Sequence, residues 1–241
     1  MTASENQGVC KNANKGRFAA QGEWQMGLAG DDILLPNCIE YNVDYVTKHP
    51  DASVVFSFMK VYQNEFKDDK CINEKKGPRD PSLFNEPQNV QLIFMAYSAY
   101  VYTTTMFIKS TVFMEIGGYS DRYAYEDWPF LIDVLEKGYK IDLLDEVTYG
   151  YRIHESLSHS DGKLFNYSLT QKSIPFLIER CFPYYSIRKK NAVKAQWLME
   201  KILYKIHLDK ATPVMSFFYK KTTAALFKLG NSSLKKLRTN E

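Results

Sequence analysis

The first 62 residues alternate between two hydrophobic periods, and this alternation restricts the possible folds of the chain more than any other feature. A short helix is expected over residues 12–20, and an apolar run follows over residues 23–29. From residue 39, apolar side chains recur at i, i+4 and i+7, which is the spacing of one helix face. Residues 52–62 are rich in β-branched and aromatic side chains, as a strand is. Helix, strand, helix and strand in this order predict a parallel α/β sheet.

Two adjacent carboxylates, Asp31 and Asp32, follow the first apolar run. Open α/β sheets bind ligands in the crevice outside the carboxyl ends of their strands, and carboxylate oxygens suit a hard cation such as Mg²⁺ or Mn²⁺. Aspartate is also common in turns and at helix caps, where it needs no ligand. The pair is therefore a candidate metal site whose weight depends on the rest of the chain.

A second acidic pair, Glu126 and Asp127, stands just before Pro129. Proline is tolerated in the first turn of a helix, apolar residues follow at helical spacing, and Gly138 ends the pattern. The pair therefore lies at a predicted helix N-terminus, where the helix dipole favours an ionised carboxylate by about 0.3–1 kcal/mol when the site is exposed. A general base needs that ionised form, although a simple helix cap would look the same.

The segments around this pair have weaker patterns. Residues 63–90 are polar and predict a long loop, whereas residues 91–108 carry no charge and approach the length of a membrane span. Their threonines and tyrosines favour buried β structure over a helix that faces lipid. Two short strands are expected between residues 139 and 152, leading to Arg152 and His154, side chains suited to phosphate and metal binding. A lone histidine is more often a hydrogen-bonded structural residue.

The C-terminal part of the chain differs from the rest in charge. Residues 188–241 hold 13 Lys and Arg against 3 Asp and Glu, although the whole chain has a net charge of only +3. The sequence predicts basic amphipathic helices there, one of which starts at Thr212 and Pro213 and ends at Gly230. Such helices suit an anionic membrane surface. They could equally pack on the preceding domain, and no recognition motif supports a third target, nucleic acid.

The cysteines indicate the compartment of the protein. They are scattered, with no CxxC pair and no cluster with histidine, and they occupy positions 10, 38, 71 and 181. This pattern predicts neither a disulfide framework nor a structural zinc site, as in a reducing compartment. The first residues are polar and lack the apolar core of a signal peptide. We therefore expect a cytoplasmic protein, which the basic helices could hold peripherally at the inner face of the plasma membrane if they do not pack on the preceding domain.

Several short motifs, in this order, resemble the middle and distal parts of a family 2 glycosyltransferase of the GT-A fold. The resemblance covers roughly residues 7–160, and its motifs follow one another at plausible spacing. They are GVCKNANKG at 8–16, AQGEW at 20–24, AGDDILLP at 29–36, GGY at 117–119, ED at 126–127 and YRIH at 151–154.

The resemblance implies a role for particular residues. Asp31 matches the family's metal-binding aspartate, with Asp32 beside it, and His154 matches a histidine that can complete the metal site. The implied cation, Mg²⁺ or Mn²⁺, would bridge the diphosphate of a nucleotide-sugar donor. The residues expected to bind the donor are Lys11, Asn14, Asp32 and Arg152.

The resemblance also implies a catalytic role for the second acidic pair, Glu126 and Asp127. Asp127 matches the general base of the family, with Glu126 as a neighbour and possible substitute. Inverting transfer needs one base for the proton of the acceptor hydroxyl and one cation for the charge on the departing diphosphate. Retention by double displacement would need a carboxylate nucleophile in addition. The expected activity is therefore inverting transfer to a saccharide or lipid-linked saccharide, as in bacterial surface polysaccharide or O-antigen synthesis.

The sequence also departs from the family pattern. Members usually begin with a strand, a helix and a second strand that grip the nucleotide, and Met1 stands only a few residues before the first motif. Ala13 stands where an arginine is common, and Ala29 where a first aspartate often stands. The expectation is an N-terminally truncated GT-A-like mixed sheet flanked by helices over residues 1–157, with a basic helical extension over 158–241. A non-catalytic remnant or partner subunit is the alternative to an enzyme.

Overall fold

The structure is a computed structural model, and it describes residues 7–98, 101–153 and 162–234. The chain divides into two compact units, residues 1–156 and 157–241. The domain boundary expected at residue 157 lies outside the described residues, and so does His154. Both therefore stay predictions.

A mixed six-stranded sheet organises the N-terminal unit, in the order β1-β5-β3-β6-β2, with β4 alongside β3. Among the described strands, β3 and β6 pair in parallel, and every other pairing is antiparallel. The expected α/β class with a mixed sheet is confirmed, whereas the parallel sheet expected from the first 62 residues is reduced to one parallel pair. The strands are β1 (Trp24–Met26), β2 (Ile33–Leu34), β3 (Val54–Gln63), β4 (Cys71–Lys76), β5 (Phe107–Lys109) and β6 (Ile141–Ile153).

Helices flank this sheet, and three of them lie where the sequence predicted. The helices expected near residues 12–20, after residue 36 and after Asp127 are confirmed as α1, α2 and α5. Helix α5 packs most of its length into the core, as the exposures of Phe130, Leu131 and Ile132 show, which are at most 1%. The five helices of this unit are α1 (Val9–Ala19), α2 (Cys38–Lys48), α3 (Gln88–Tyr97), α4 (Ser110–Ile116) and α5 (Asp127–Glu136).

The parallel pair of β3 and β6 lies at the centre of the sheet. Val54, Val55 and Phe56 of β3 are at most 1% exposed, in agreement with the strand predicted over residues 52–62. The two short strands expected between residues 139 and 152 are instead one strand of 13 residues. Its register against β3 shifts after Phe56, where β6 carries the exposed residues Asp145 and Glu146. These bulged polar residues interrupt the hydrophobic pattern without ending the strand.

The uncharged stretch 91–108 begins as a helix where strand was expected, since α3 extends to Tyr97 and β5 begins only at Phe107. Its burial was anticipated correctly, but a short apolar run cannot distinguish a buried helix from a buried strand by periodicity. Gln91, fully buried in α3, exchanges two hydrogen bonds with the backbone of Ile141, of 2.9 and 3.0 Å. The polar loop expected over residues 63–90 likewise contains strand β4.

The C-terminal unit consists of helices α6 (Tyr167–Phe176), α7 (Ile187–Lys205) and α8 (Pro213–Gly230). Helix α8 begins and ends where the sequence predicted, and the hydroxyl of Thr212 caps it by accepting a hydrogen bond from the Met215 amide at 3.3 Å. No helix of the described ranges is both long enough and apolar enough to cross a membrane.

One buried carboxylate connects the three helices of this unit. Glu200 of α7 is 2% exposed and accepts hydrogen bonds from Thr170 of α6 at 2.8 Å and from Tyr219 of α8 at 2.7 Å. Gln196, one turn earlier in α7, donates a third at 2.9 Å. These donors replace the water that the carboxylate loses on burial, so this unit has a specific polar core as well as apolar contacts.

Many large apolar side chains of the same unit nevertheless face solvent. They lie on α7 and α8 among lysines, and they include the apolar stripe expected at residues 198–206. The exposed side chains of this basic apolar surface include Leu198, Ile202, Ile206, Phe217, Phe218 and Phe227.

Candidate active site

A cavity of about 550 Å³ opens in the N-terminal unit between α1, the residues that follow β1, and the N-terminus of α5. Helix α1 contributes Ala13 and Arg17 to its wall, and α5 contributes Asp127 together with the preceding Glu126. Tyr149 of β6 lines it as well. The second acidic pair of the sequence therefore borders a space large enough for part of a substrate.

Asp127 is held in one orientation at the start of α5. Its two carboxylate oxygens accept hydrogen bonds from the Thr103 hydroxyl at 2.9 Å and from the Trp128 amide at 2.7 Å. The indole of Trp128 donates in turn to the Met95 carbonyl of α3 at 2.8 Å. Because α5 is also buried along its length, the carboxylate stands on a rigid element at the cavity wall. This is the placement that a general base requires.

Glu126 occupies the N-cap position of α5, beside Asp127. Burial raises the pKa of Glu126, and the negative charge of Asp127 raises it further. A half-buried glutamate of this kind holds its proton to a higher pH than an exposed one. The two neighbouring carboxylates therefore differ in their environment, and Asp127 has the better defined hydrogen bonds.

Asp32 is buried, at 8% exposure, and its carboxylate is bound by the sheet. One oxygen accepts from the Tyr149 hydroxyl and the other from the Arg152 backbone amide, both at 2.9 Å. Burial raises the pKa of Asp32, and these two hydrogen bonds offset part of the rise. Asp32 thereby fastens the turn before β2 to strand β6. Through Tyr149, this turn also contacts the cavity wall.

Asp31 and Asp32 together offer the oxygen ligands that Mg²⁺ or Mn²⁺ prefers. Asp31 is half-exposed in the turn, and each oxygen of Asp32 keeps a lone pair beyond its hydrogen bond. Within residues 7–98, 101–153 and 162–234, no third acidic, cysteine or histidine side chain joins them. The pair fits a hard cation chemically, and the third ligand expected from the sequence, His154, lies outside these ranges.

The other residues expected to bind the donor have structural contacts. The Asn14 amide donates to the Tyr119 carbonyl and accepts from the Tyr119 amide, both at 2.8 Å. Lys11 forms an exposed ion pair with Asp121 at 3.5 Å. Arg152 places its guanidinium 5.1 Å from the Phe66 ring centroid, and its Nε atom is buried without a hydrogen-bond partner. None of the three lines the cavity, so their role in donor binding stays a prediction.

The contact of Asn14 with Tyr119 explains a glycine of the motif at residues 117–119. Gly118 has a φ of +79°, and a Cβ atom there would lie 2.7 Å from Asn14 Oδ1 and 2.8 Å from Phe18 Cζ. A side chain at this position would strain the backbone and force the side chains of Asn14 and Phe18 to move. The motif at residues 8–16 and the motif at residues 117–119 therefore contact each other, and this contact attaches α1 to the loop that precedes α5.

Comparison with known proteins finds a family match for the N-terminal part of the chain. Residues 1–112 match the family model described as Glycosyl transferase family 2. The matched segment is 112 of the 241 residues, and the resemblance identified from the sequence is confirmed over this segment. The same match supports the expected enzyme class, a glycosyltransferase. The second acidic pair lies beyond the matched residues.

Two curated relatives are similar to the chain. The chain is 23% identical over 222 residues to the UDP-Gal:alpha-D-GlcNAc-diphosphoundecaprenol beta-1,3-galactosyltransferase of Escherichia coli, covering 92% of this chain and 74% of the relative. It is 25% identical over 180 residues to an uncharacterized glycosyltransferase of Haemophilus influenzae, covering 72% of this chain and 56% of the relative.

Solved structures with a similar backbone include TarS of S. aureus. TarS 1-349 in complex with UDP-GlcNAc has a TM-score of 0.46 and 14% identity, covering 93% of this chain and 53% of TarS 1-349. TarS 1-349 without a named ligand has a TM-score of 0.47 and 16% identity, with coverages of 82% and 52%. The chain therefore spans about half the length of these TarS chains.

Sequence analysis missed three residues that line the cavity: Arg17, Thr103 and Tyr149. Arg17 had a usable signal, because it stands one helical turn after Ala13, where the family pattern often has an arginine. Thr103 and Tyr149 act through hydrogen bonds to carboxylates that are distant in the sequence. No local pattern reveals such contacts.

Proposed function

We propose that this protein is an inverting glycosyltransferase that moves a sugar from a nucleotide-sugar donor to an acceptor hydroxyl. The observation that carries the proposal is the oriented carboxylate of Asp127 on the wall of the cavity. The family 2 match of residues 1–112 supports sugar transfer as the reaction.

In the proposed reaction, the acceptor oxygen attacks the anomeric carbon from the face opposite the diphosphate. The new carbon–oxygen bond forms as the bond to the diphosphate breaks, and its electron pair leaves with the nucleoside diphosphate. Asp127 takes the hydroxyl proton, so one displacement with one base inverts the configuration. Thr103 and the Trp128 amide hold the carboxylate toward the acceptor while this proton moves.

A divalent cation completes the proposal. Asp31 and Asp32 would hold Mg²⁺ or Mn²⁺, with His154 as the third ligand implied by the resemblance. When bound, the cation would offset the negative charge that develops on the leaving diphosphate. In the protein itself, Tyr149 and the Arg152 amide fix the position of Asp32 and hence of the turn that carries both carboxylates.

The names of the relatives support a substrate class. The Escherichia coli relative is named for UDP-Gal and for a diphosphoundecaprenol-linked GlcNAc. For the present protein we propose a nucleotide-sugar donor and a saccharide or lipid-linked saccharide acceptor, in bacterial surface polysaccharide or O-antigen synthesis.

The basic apolar surface of the C-terminal unit supports a location for this reaction. Aromatic and aliphatic side chains exposed among lysines suit the interface of an anionic membrane, where the apolar groups enter the acyl boundary. We propose that residues 188–241 bind the cytoplasmic face of the plasma membrane peripherally. Cosedimentation with vesicles of phosphatidylcholine, with and without phosphatidylglycerol, tests this. A double variant, Phe217→Ser with Phe218→Ser, should lose the binding, and equal binding of both vesicle types would contradict the proposal.

The test of the activity uses the whole purified chain with a panel of UDP-sugars, Mn²⁺ or Mg²⁺, and a diphosphate-linked GlcNAc acceptor. Product formation is followed by mass spectrometry, and the new anomeric configuration by NMR. A product with inverted configuration supports the proposal. A product with retained configuration would refute the single displacement, and no product with any donor would refute the activity.

A non-catalytic remnant or partner subunit is the second candidate. One observation favours it, because both oxygens of Asp32 already accept hydrogen bonds from the protein itself. Calorimetric titration of the folded chain with nucleoside diphosphates and Mn²⁺ separates the two candidates. Metal-dependent binding that Asp31→Asn weakens supports the enzyme, and absence of any binding supports the remnant.

A further inference from the structure

Arg17 brings a positive charge to the cavity that holds the two carboxylates of α5. It lies on the same face of α1 as Ala13, four residues earlier, and both line the cavity. Among the described residues of the cavity wall, Arg17 is the one lysine or arginine, whereas Glu126 and Asp127 bring negative charge. An anionic substrate group in this space therefore depends on Arg17 for direct electrostatic compensation by the protein.

The guanidinium of Arg17 is oriented by its surroundings. Its Cζ atom lies 5.2 Å from the ring centroid of Phe113 and 5.6 Å from that of Tyr119. Gly27 leaves room for it, because a Cβ atom at that residue would lie 2.9 Å from Arg17 Nη2. Burial raises the pKa of Tyr119, and the charge of Arg17 offsets part of the rise. The side chain is thus half-buried and held by rings and backbone.

Aromatic contacts orient a guanidinium but do not neutralise it. In the ranges that the structure describes, no carboxylate lies within the 4.0 Å of an ion pair with Arg17. The side-chain oxygen of Gln25 accepts a hydrogen bond from Nη1 of Arg17 at 3.5 Å, so this oxygen points toward Arg17. The amide nitrogen of Gln25, which is 6% exposed and part of the same wall, is left buried without an acceptor. The guanidinium of Arg17 and the amide nitrogen of Gln25 therefore both offer hydrogen-bond donors at this side of the cavity.

We infer that Arg17 binds the diphosphate group of a substrate in this cavity, with Gln25 positioning its guanidinium. The planar fork of an arginine matches phosphate oxygens with two parallel hydrogen bonds, which an ammonium group cannot reproduce. The inference rests on the proposed function and assigns one residue of this chain to its substrate. The diphosphate can belong to the nucleotide donor or to a lipid-diphosphate acceptor, and the experiment has one arm for each source.

The donor arm measures the affinities of the whole chain for UDP and for UMP by calorimetry with Mn²⁺ present. Wild-type protein should bind UDP more tightly than UMP, and Arg17→Gln should weaken UDP at least tenfold while changing UMP much less. Arg17→Lys, which keeps the charge but not the fork, should give an intermediate loss. A residue with a merely structural role would weaken both nucleotides alike.

The acceptor arm measures KM for a water-soluble, diphosphate-linked GlcNAc at saturating donor. A tenfold or larger increase in this KM in Arg17→Gln, with unchanged UDP affinity, assigns the diphosphate to the acceptor. Unchanged UDP affinity together with unchanged acceptor KM overturns the inference.

A second variant keeps Arg17 in place. Gln25→Glu would set a carboxylate beside the guanidinium and satisfy its charge from within the protein. It should weaken binding of the same ligand in the same direction as Arg17→Gln, which decides the matter if Arg17→Gln does not fold. If wild-type protein binds no nucleoside diphosphate and transfers no sugar, the proposed function fails and the inference with it. If wild-type protein binds UDP or uses the acceptor and these variants match it, only the inference fails.

Discussion

The two acidic pairs look alike in the sequence and differ in the structure. Asp31 and Asp32 lie in a turn before β2, where the carboxylate of Asp32 is buried and satisfies two donors of strand β6. Glu126 and Asp127 lie at the start of α5, where both side chains face the cavity. One pair thus contains a residue that holds the backbone together, and the other presents both carboxylates to a substrate space.

The difference teaches that burial and hydrogen-bond partners, more than the motif, decide what a carboxylate does. A carboxylate whose oxygens accept from buried donors is costly to replace even if it touches no substrate. A carboxylate at a cavity wall can be replaced with little loss of stability, but its chemistry disappears. We therefore expect substitution of each of the four carboxylates to have a different effect on activity, stability or ligand binding.

The largest effect is expected at Asp127. Asp127→Asn keeps the shape of the side chain and its contact with Thr103 but removes the basic group, so sugar transfer should fall by about 10²- to 10⁴-fold. Glu136→Gln makes the same chemical change at the other end of α5, away from the cavity, and should retain activity. Initial rates with a radiolabelled donor measure both. Equal activity of Asp127→Asn and wild type would remove Asp127 from the mechanism.

Asp32→Asn should mainly reduce stability. The amide nitrogen would face either the Tyr149 hydroxyl or the Arg152 amide, and one buried donor would lose its acceptor at a cost of about 1–3 kcal/mol in free energy of unfolding. Tyr149→Phe removes one hydroxyl from the same network and should cost about 1 kcal/mol. Urea unfolding followed by circular dichroism measures both. Wild-type stability in both variants would show that the network does not hold the turn.

Asp31→Asn should show the reverse pattern. This half-exposed carboxylate is the better placed of the two for a cation, so the variant should lose about tenfold in Mn²⁺-dependent UDP affinity, or about 1.4 kcal/mol. Its unfolding midpoint should stay close to that of the wild type. Calorimetry with and without Mn²⁺ provides the measurement, and a loss of stability as large as that of Asp32→Asn would cancel the distinction between the two residues.

The smallest effect concerns Glu126 and pH. Its folded-state pKa is raised above the usual 4.5, mainly by burial. The stability that its protonated form contributes is complete below pH 4.5 and is lost as pH rises through the higher folded-state pKa. Relative to Glu126→Gln, the wild type should therefore lose unfolding free energy across this window. Parallel pH profiles of the two proteins would show that burial of Glu126 carries no such cost.

The sequence predicted those elements whose signals are local. Pro129 and Thr212 mark helix starts, and the β-rich run at residues 52–62 contains β3, because capping and propensity act within a few residues. Stretches buried on all sides were harder. From residue 92 to residue 97, helix α3 carries the same uninterrupted apolar pattern as a central strand. The bulge at Asp145 and Glu146 looks like a break between two strands.

The candidate site was predictable in part for a similar reason. A motif can place Asp127 at a helix N-terminus, but only the fold brings Thr103 to its carboxylate or Tyr149 to that of Asp32. Asn14 is the opposite case, in which a motif suggested a binding role but the structure shows a structural contact. Its motif suggested donor binding, whereas its side chain is engaged by the Tyr119 backbone, a partner 105 residues away in the sequence.

Helix α1 has a further consequence for how the cavity behaves. None of its residues is buried, and side-chain contacts attach it to the loop and to α4: Asn14 with the Tyr119 backbone, Arg17 with the rings of Phe113 and Tyr119, and Phe18 with Phe113. We therefore expect the amide protons of this helix to exchange through local opening, without unfolding of the sheet. Because Arg17 is part of α1, a ligand that binds Arg17 shifts this opening equilibrium toward the closed helix. Substrate affinity at this wall is therefore coupled to the local folding of one helix.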